Sequence, residues 1–195
     1  IAGQSCAAVK KLYLHEDVAD AFLDRLLPAV AAHRFGDPAS LDTDMGPVID
    51  AAAAAEVERR IAATVAGGAR LLAGGTRDGT LVAPTVLADV ALDAPVIADE
   101  TFGPIVAART FADPAEAIAE VNAGSWGLQA GVFTNDHAVI KQFSRDLVVG
   151  GVMINEGPDF RAEHVPFGGV KGSGLGREGV RVTLREMSET KVVID

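Results

Sequence analysis

Leu128–Thr134 reads LQAGVFT and Gly150–Asn155 reads GGVMIN, with a helical stretch from Asp136 to about Leu147 between them. Both runs are short, carry Val or Ile, and sit between turn-forming residues, as strands do. A helix of that length between two strands rules out a hairpin. The strands must lie parallel, joined by a right-handed crossover. That unit sets the fold class: α/β, a mostly parallel twisted sheet with flanking helices.

The rest of the chain repeats the alternation. Ala7–His15 (AAVKKLYLH) reads as a strand with Val9, Leu12 and Leu14 as buried candidates. Asp17 is placed to cap a helix in which Val18, Phe22, Leu26 and Val30 recur every four residues. Pro28 inside it removes a hydrogen bond at a cost of about 3 kcal/mol, which predicts a kink. Gly36–Ile49 is a Gly-, Pro- and Asp-rich connector. Asp50 caps a helix that runs to about Val65 and ends at Gly67–Gly68. Ala69–Gly75 is a short strand, and Pro84 makes any strand in Leu81–Val90 an edge or an interrupted one. Asp113–Gly124 is a helix with Pro in its first turn and Gly after its end. Arg177–Met187 reads as a helix and Lys191–Asp195 (KVVID) as a closing strand. With no repeat and no low-complexity linker, residues 1–187 are expected to form one α/β domain and 188–195 a C-terminal strand.

Composition narrows the partners. Of 195 residues, 49% are hydrophobic and 23% charged, the balance of an ordinary globular chain. Seventeen basic against 27 acidic residues leave a net charge of −10 with no basic run, which argues against nucleic acid or an anionic membrane as partner. One cysteine, Cys6, excludes an internal disulfide and fits a reducing compartment. No apolar run approaches the roughly 20 residues that span a bilayer, and no secretory leader is apparent. The expected location is the cytoplasm. His15, His33, His137 and His164 lack metal-ligand spacing, so no metal is expected.

Gly174-Leu-Gly-Arg-Glu-Gly179 spells G-x-G-x-x-G, a dinucleotide fingerprint. The fingerprint needs a strand before it and a helix, strand and acidic residue after it. Here a loop precedes it and too little chain follows. These glycines are read as turns into the last helix.

Four separated stretches remain: GQSC (Gly3–Cys6), DETFGPI (Asp99–Ile105), GLQAGVFTND (Gly127–Asp136) and PFGGVKGSGLGREG (Pro166–Gly179). In this order and spacing, with the connectors MGPVI and APTVL, they resemble the aldehyde dehydrogenase superfamily. The resemblance spans essentially the whole chain but only the later, catalytic part of a family member.

The resemblance implies roles. Cys6 would be the nucleophile that forms a thiohemiacetal and then a thioester, a task suited to a thiolate, which attacks and leaves well. Glu100 would hold the nicotinamide ribose hydroxyls, and Phe102 would pack near the nicotinamide ring of NAD or NADP. Phe167 would wall the substrate tunnel, and Arg161 would lie on the loop that shapes substrate choice. The closing KVVID would join a partner subunit's sheet in a homodimer or homotetramer. Each residue also has a structural reading. A lone cysteine is usually a small buried hydrophobe. Glu100 and Arg161 are of types mostly found solvated, and Phe102 and Phe167 of a type common in cores.

The nucleotide-binding domain, the general base and an oxyanion-binding amide of a complete family member have no counterpart here. The expected function is therefore the catalytic part of an NAD(P)-dependent enzyme oxidising a small aldehyde to an acid, inactive as this chain alone. Two alternatives stay open: a short non-catalytic oligomerisation or binding paralogue, and an acylating relative that passes the thioester to another acceptor.

Overall fold

A computed structural model describes residues 1–195. The chain gathers into two compact units, Ile1–Glu120 and Val121–Asp195, and the division falls inside a helix.

The first unit contains β1 (Lys11–His15), α1 (Glu16–Ala32), α2 (Ala51–Ala66), β2 (Arg70–Ala73), β3 (Arg77–Asp78), β4 (Leu81–Val82), β5 (Thr85–Ala88), α3 (Pro95–Ala98) and β6 (Ile105–Phe111), and most of α4 (Pro114–Ala123). Its sheet runs β1-β6-β5-β2, with β1 and β5 parallel to β6 and β2 antiparallel at the edge. The central strand β6 has no counterpart among the strands read from the sequence. It is buried along Ile105, Ala107 and Ala108, and so shows a short apolar run rather than an alternation. Pro84 interrupts a strand, as expected, leaving β4 before it and β5 after it, and β5 is an inner strand.

Strand alternation sends helices to opposite faces. Ile105, Ala107 and Leu87 share a core with Ala54, Val57 and Ile61, one stripe of α2. Ala108, Ala88 and Leu14 instead face Ala19 and Leu23 of α1. This corrects the expected α1 stripe: Val18 and Phe22 are exposed, and buried Ala19 lets the helix approach the sheet. Val9 is also exposed, because β1 begins only at Lys11. The cap of α1 is His15, whose Nδ1 accepts from the Asp17 amide at 3.3 Å, and the helix runs unbroken through Pro28. Asp50 caps α2 as expected, accepting from the Ala53 amide at 2.7 Å.

The second unit holds β7 (Trp126–Gly127), β8 (Gln129–Val132), α5 (His137–Asp146), β9 (Gly151–Ile154), β10 (Val170–Lys171) and α6 (Val180–Glu186). β8 and β9 pair in parallel, Gln129 opposite Gly151 through Val132 opposite Ile154, so the strand–helix–strand reading holds. Asp136 caps α5 through the Ala138 amide at 2.7 Å. Lys191–Asp195 forms no strand, and Val192, Val193 and Ile194 are exposed. A strand is defined by hydrogen bonds to a neighbour, and this segment finds none within its own chain.

Candidate active site

Cys6 stands on a turn closed by the Ala8 amide donating to the Ser5 carbonyl at 3.2 Å, and it is exposed. The turn is anchored by its neighbours. Gln4 Nε2 donates to the Ile1 carbonyl at 3.0 Å, while Gln4 Oε1 accepts from the Ile49 amide at 2.8 Å in the MGPVI connector. Gly3 has φ +65°, and a Cβ there would lie 2.2 Å from the Gly103 carbonyl oxygen. Only glycine fits such an approach.

That contact sets the cysteine turn against the loop Asp99–Pro104, which carries Glu100 and Phe102. The loop is held from behind by α2. Arg60 Nη1 donates to the Glu100 carbonyl at 2.6 Å and to buried Thr101 Oγ1 at 3.1 Å, and Arg60 Nε donates to Glu56 at 2.6 Å. Hydrogen bonds from Arg59 first and Arg60 second pull the Glu56 carboxyl down to about 2. With its backbone so held, the Glu100 side chain is exposed and the Phe102 ring is 43% exposed. An available carboxylate and an open ring face on a fixed loop suit a ribose diol and a flat heteroaromatic ring.

Lys10, which sequence reading passed over, reaches both loops. Its Nζ donates to the Gly3 carbonyl and lies 5.1 Å from the centroid of the Phe102 ring. Burial pushes the Lys10 ammonium below its usual range, while the charges of Glu100 and then Cys6 oppose that shift. Lys-Lys at the start of a strand carries no local signal of such contacts. Arg60 was missed for the same reason.

Within the second unit, Arg161 and Phe167 meet. The guanidinium carbon sits 4.6 Å from the Phe167 ring centroid, and Arg161 Nη2 reaches Glu178 at 3.4 Å. Backbone bonds from the Phe167 amide to the Glu178 carbonyl (2.9 Å) and from the Glu178 amide to the Phe167 carbonyl (2.6 Å) close the group. Glu178 lies inside the G-x-G-x-x-G run, whose true context is now visible. The two-residue β10 ends at Lys171, and Gly179 caps the seven-residue α6, so no strand-turn-helix cradle exists. Glycine upstream serves close packing: a Cβ at Gly150 would lie 1.7 Å from the Gly168 carbonyl oxygen. Nowhere do three His, Cys, Asp or Glu side chains cluster as metal ligands would, and no helix is long and apolar enough to cross a membrane.

The family model of the aldehyde dehydrogenases matches residues 1–193. The chain belongs to the aldehyde dehydrogenase family. It is 42% identical over 193 residues to the sulfoacetaldehyde dehydrogenase of Neptuniibacter caesariensis, covering 99% of this chain and 42% of that protein. Among solved structures, aldehyde dehydrogenase 21 from Physcomitrella patens, in complex with the reaction product succinate, is similar with a TM-score of 0.96 and 39% identity over 98% of this chain and 40% of its own. The glyceraldehyde-3-phosphate dehydrogenase GapN from Methanocaldococcus jannaschii, complexed with NADP, is similar with a TM-score of 0.92 and 38% identity over 96% of this chain and 41% of its own. The chain thus spans about two-fifths of the length of these relatives. The family is one of oxidoreductases acting on aldehydes, and its α/β fold is the one expected from LQAGVFT and GGVMIN.

Proposed function

We propose that this chain is the thiol-bearing part of an NAD(P)-dependent aldehyde dehydrogenase that oxidises a small aldehyde bearing an anionic group. One contact carries the reading: the turn of exposed Cys6 abuts, Gly3 against Gly103, the loop that presents Glu100 and Phe102. A nucleophile and a cofactor wall on touching loops can serve a single reaction.

The Cys6 thiolate adds to the aldehyde carbon, forming a C–S bond while the carbonyl π pair moves to oxygen. As that oxyanion re-forms a carbonyl, hydride leaves the carbon and a thioester remains on Cys6. NAD or NADP, when bound, supplies the acceptor for that hydride. Water then adds to the thioester, the C–S bond breaks, and carboxylate and thiolate are released as the two protons of the water pass to solvent. When NAD or NADP is bound, Glu100 would accept hydrogen bonds from the ribose hydroxyls, and the open face of Phe102 would flank the nicotinamide.

Arg161 supports the choice of an anionic substrate. Its pairing with Glu178 is long and exposed, of a kind worth only about 0–1 kcal/mol, so a carboxylate or sulfonate can displace it. Stacking on Phe167 keeps the guanidinium plane oriented for two parallel hydrogen bonds. Among the relatives, some are named for anions, sulfoacetaldehyde and 3-sulfolactaldehyde, and others for neutral lactaldehyde, so it is the Arg161 geometry that favours the anionic class. Exposed Val192, Val193 and Ile194 support pairing of Lys191–Asp195 with a second subunit in a homodimer or homotetramer, and the cytoplasm is the proposed location.

The test is Cys6→Ala in a family-length protein carrying this chain, assayed with sulfoacetaldehyde and each cofactor. Oxidation should vanish while circular dichroism is unchanged. Residual activity within about tenfold of the parent, or roughly 1.4 kcal/mol of barrier, overturns the assignment.

A further inference from the structure

Two loops make the proposed site in the first unit, and Lys10 touches both. Its Nζ donates to the carbonyl of Gly3 in the cysteine turn and lies 5.1 Å from the centroid of the Phe102 ring in the cofactor loop. It also lies within Coulombic range of Glu100 and Cys6. A lysine that merely shields apolar surface keeps its ammonium in water. Here the ammonium is turned inward and tethered by a carbonyl on one side and a ring face on another. The Phe102 loop cannot retreat from behind, because Arg60 holds Glu100 and Thr101.

We infer that Lys10 is a positioning residue that locks the Cys6 turn to the Glu100–Phe102 loop and sets a positive charge at the junction of the two. The purpose of the lock rests on the dehydrogenase reading; its detection does not. Held this way, thiol and cofactor wall keep one relative placement, which matters because an error of about 1 Å in such geometry costs on the order of a hundredfold in rate. The charge raises the local concentration of anions at Cys6, so anionic electrophiles gain over neutral ones of the same reactivity.

The 195-residue protein has one cysteine, so alkylation reports Cys6 alone. Iodoacetate and iodoacetamide form the same S–C bond with loss of iodide and differ in charge. At low ionic strength, Lys10→Met should lower the iodoacetate-to-iodoacetamide rate ratio about threefold, and Lys10→Arg should preserve it. In the parent protein the Lys10 ε-methylene protons should be shifted upfield by the Phe102 ring, and Phe102→Leu should abolish that shift. An unchanged ratio in Lys10→Met overturns the inference. So do ε-methylene protons at their ordinary position in the parent protein, a readout that needs no Lys10 variant to fold. Neither measurement needs turnover, so failure here leaves the Cys6→Ala result standing, and failure of that result leaves the alkylation ratio intact.

Discussion

Replacing Arg60 by Met keeps much of the aliphatic stem and deletes the guanidinium that holds the cofactor loop. The Arg60 side chain is 16% exposed; its bond to Thr101 Oγ1 (3.1 Å) is partly buried, and its bond to the Glu100 carbonyl (2.6 Å) lies at the surface. A hydrogen bond to a charged group is worth about 1.5–3 kcal/mol net, and Thr101, 6% exposed, is left without that donor. The partly buried pairing with Glu56 spans one helical turn. Helix pairs of that spacing usually add about 0.3–0.5 kcal/mol. The expected loss is about 2–3 kcal/mol, or roughly 4–12 °C in melting temperature for a chain of this size. It should appear in far-UV circular dichroism, which follows α2 and the sheet. The fluorescence of Trp126, the single tryptophan and a member of the second unit, should shift less. Amide exchange at Thr101–Gly103 should accelerate with the loss. An acid titration adds a control with a defined sign. The Glu56 carboxyl is depressed, so its contribution is complete above the unfolded value near 4.5 and is lost as pH falls through about 2. Because Arg59 is the larger cause, Arg60→Met should raise the Glu56 midpoint only part of the way. A melting shift under about 1 °C, or loop exchange no faster than in the parent protein, would refute the claim that α2 holds this loop.

Two predictions concern turnover in a family-length protein. Glu100→Gln should slow hydride transfer by misplacing the cofactor and leave the pH profile of thioester hydrolysis unaltered; losing a basic limb from that profile would make Glu100 the base instead. Arg161→Ala should lower kcat/KM for sulfoacetaldehyde about tenfold or more and leave neutral lactaldehyde within about twofold, whereas equal losses for both would reduce Arg161 to a bystander.

Legibility followed the range of the forces involved. Asp50 and Asp136 cap their helices because a carboxylate two or three residues upstream of a free amide decides the start locally. The α1 cap was misread because a histidine, not the aspartate beside it, accepts the amide bond. The stripe of α1 was misread for a different reason: both Val18/Phe22 and Ala19/Leu23 fit a helical period, and the sheet selected the smaller pair. β6 was missed because a strand covered on both faces shows no alternation.

The motif residues were legible as types: a glycine-flanked cysteine, an acid before Phe-Gly-Pro, an arginine upstream of Pro-Phe-Gly-Gly. The sequence also pointed to the α/β class and to the parallel pairing of β8 with β9, since strand, helix and strand in succession is the common form of a parallel crossover. The tertiary structure decided what each site residue touches. Gly3 meets Gly103, Lys10 meets Phe102 and Arg60 meets Glu100 across long stretches of chain, and Arg161 meets Glu178 from the far side of a loop. Caps and periodicity act over a few residues and can be read along the chain. Such pairings depend on sheet order and on which backbones approach closely, and those exist only once the whole unit has packed.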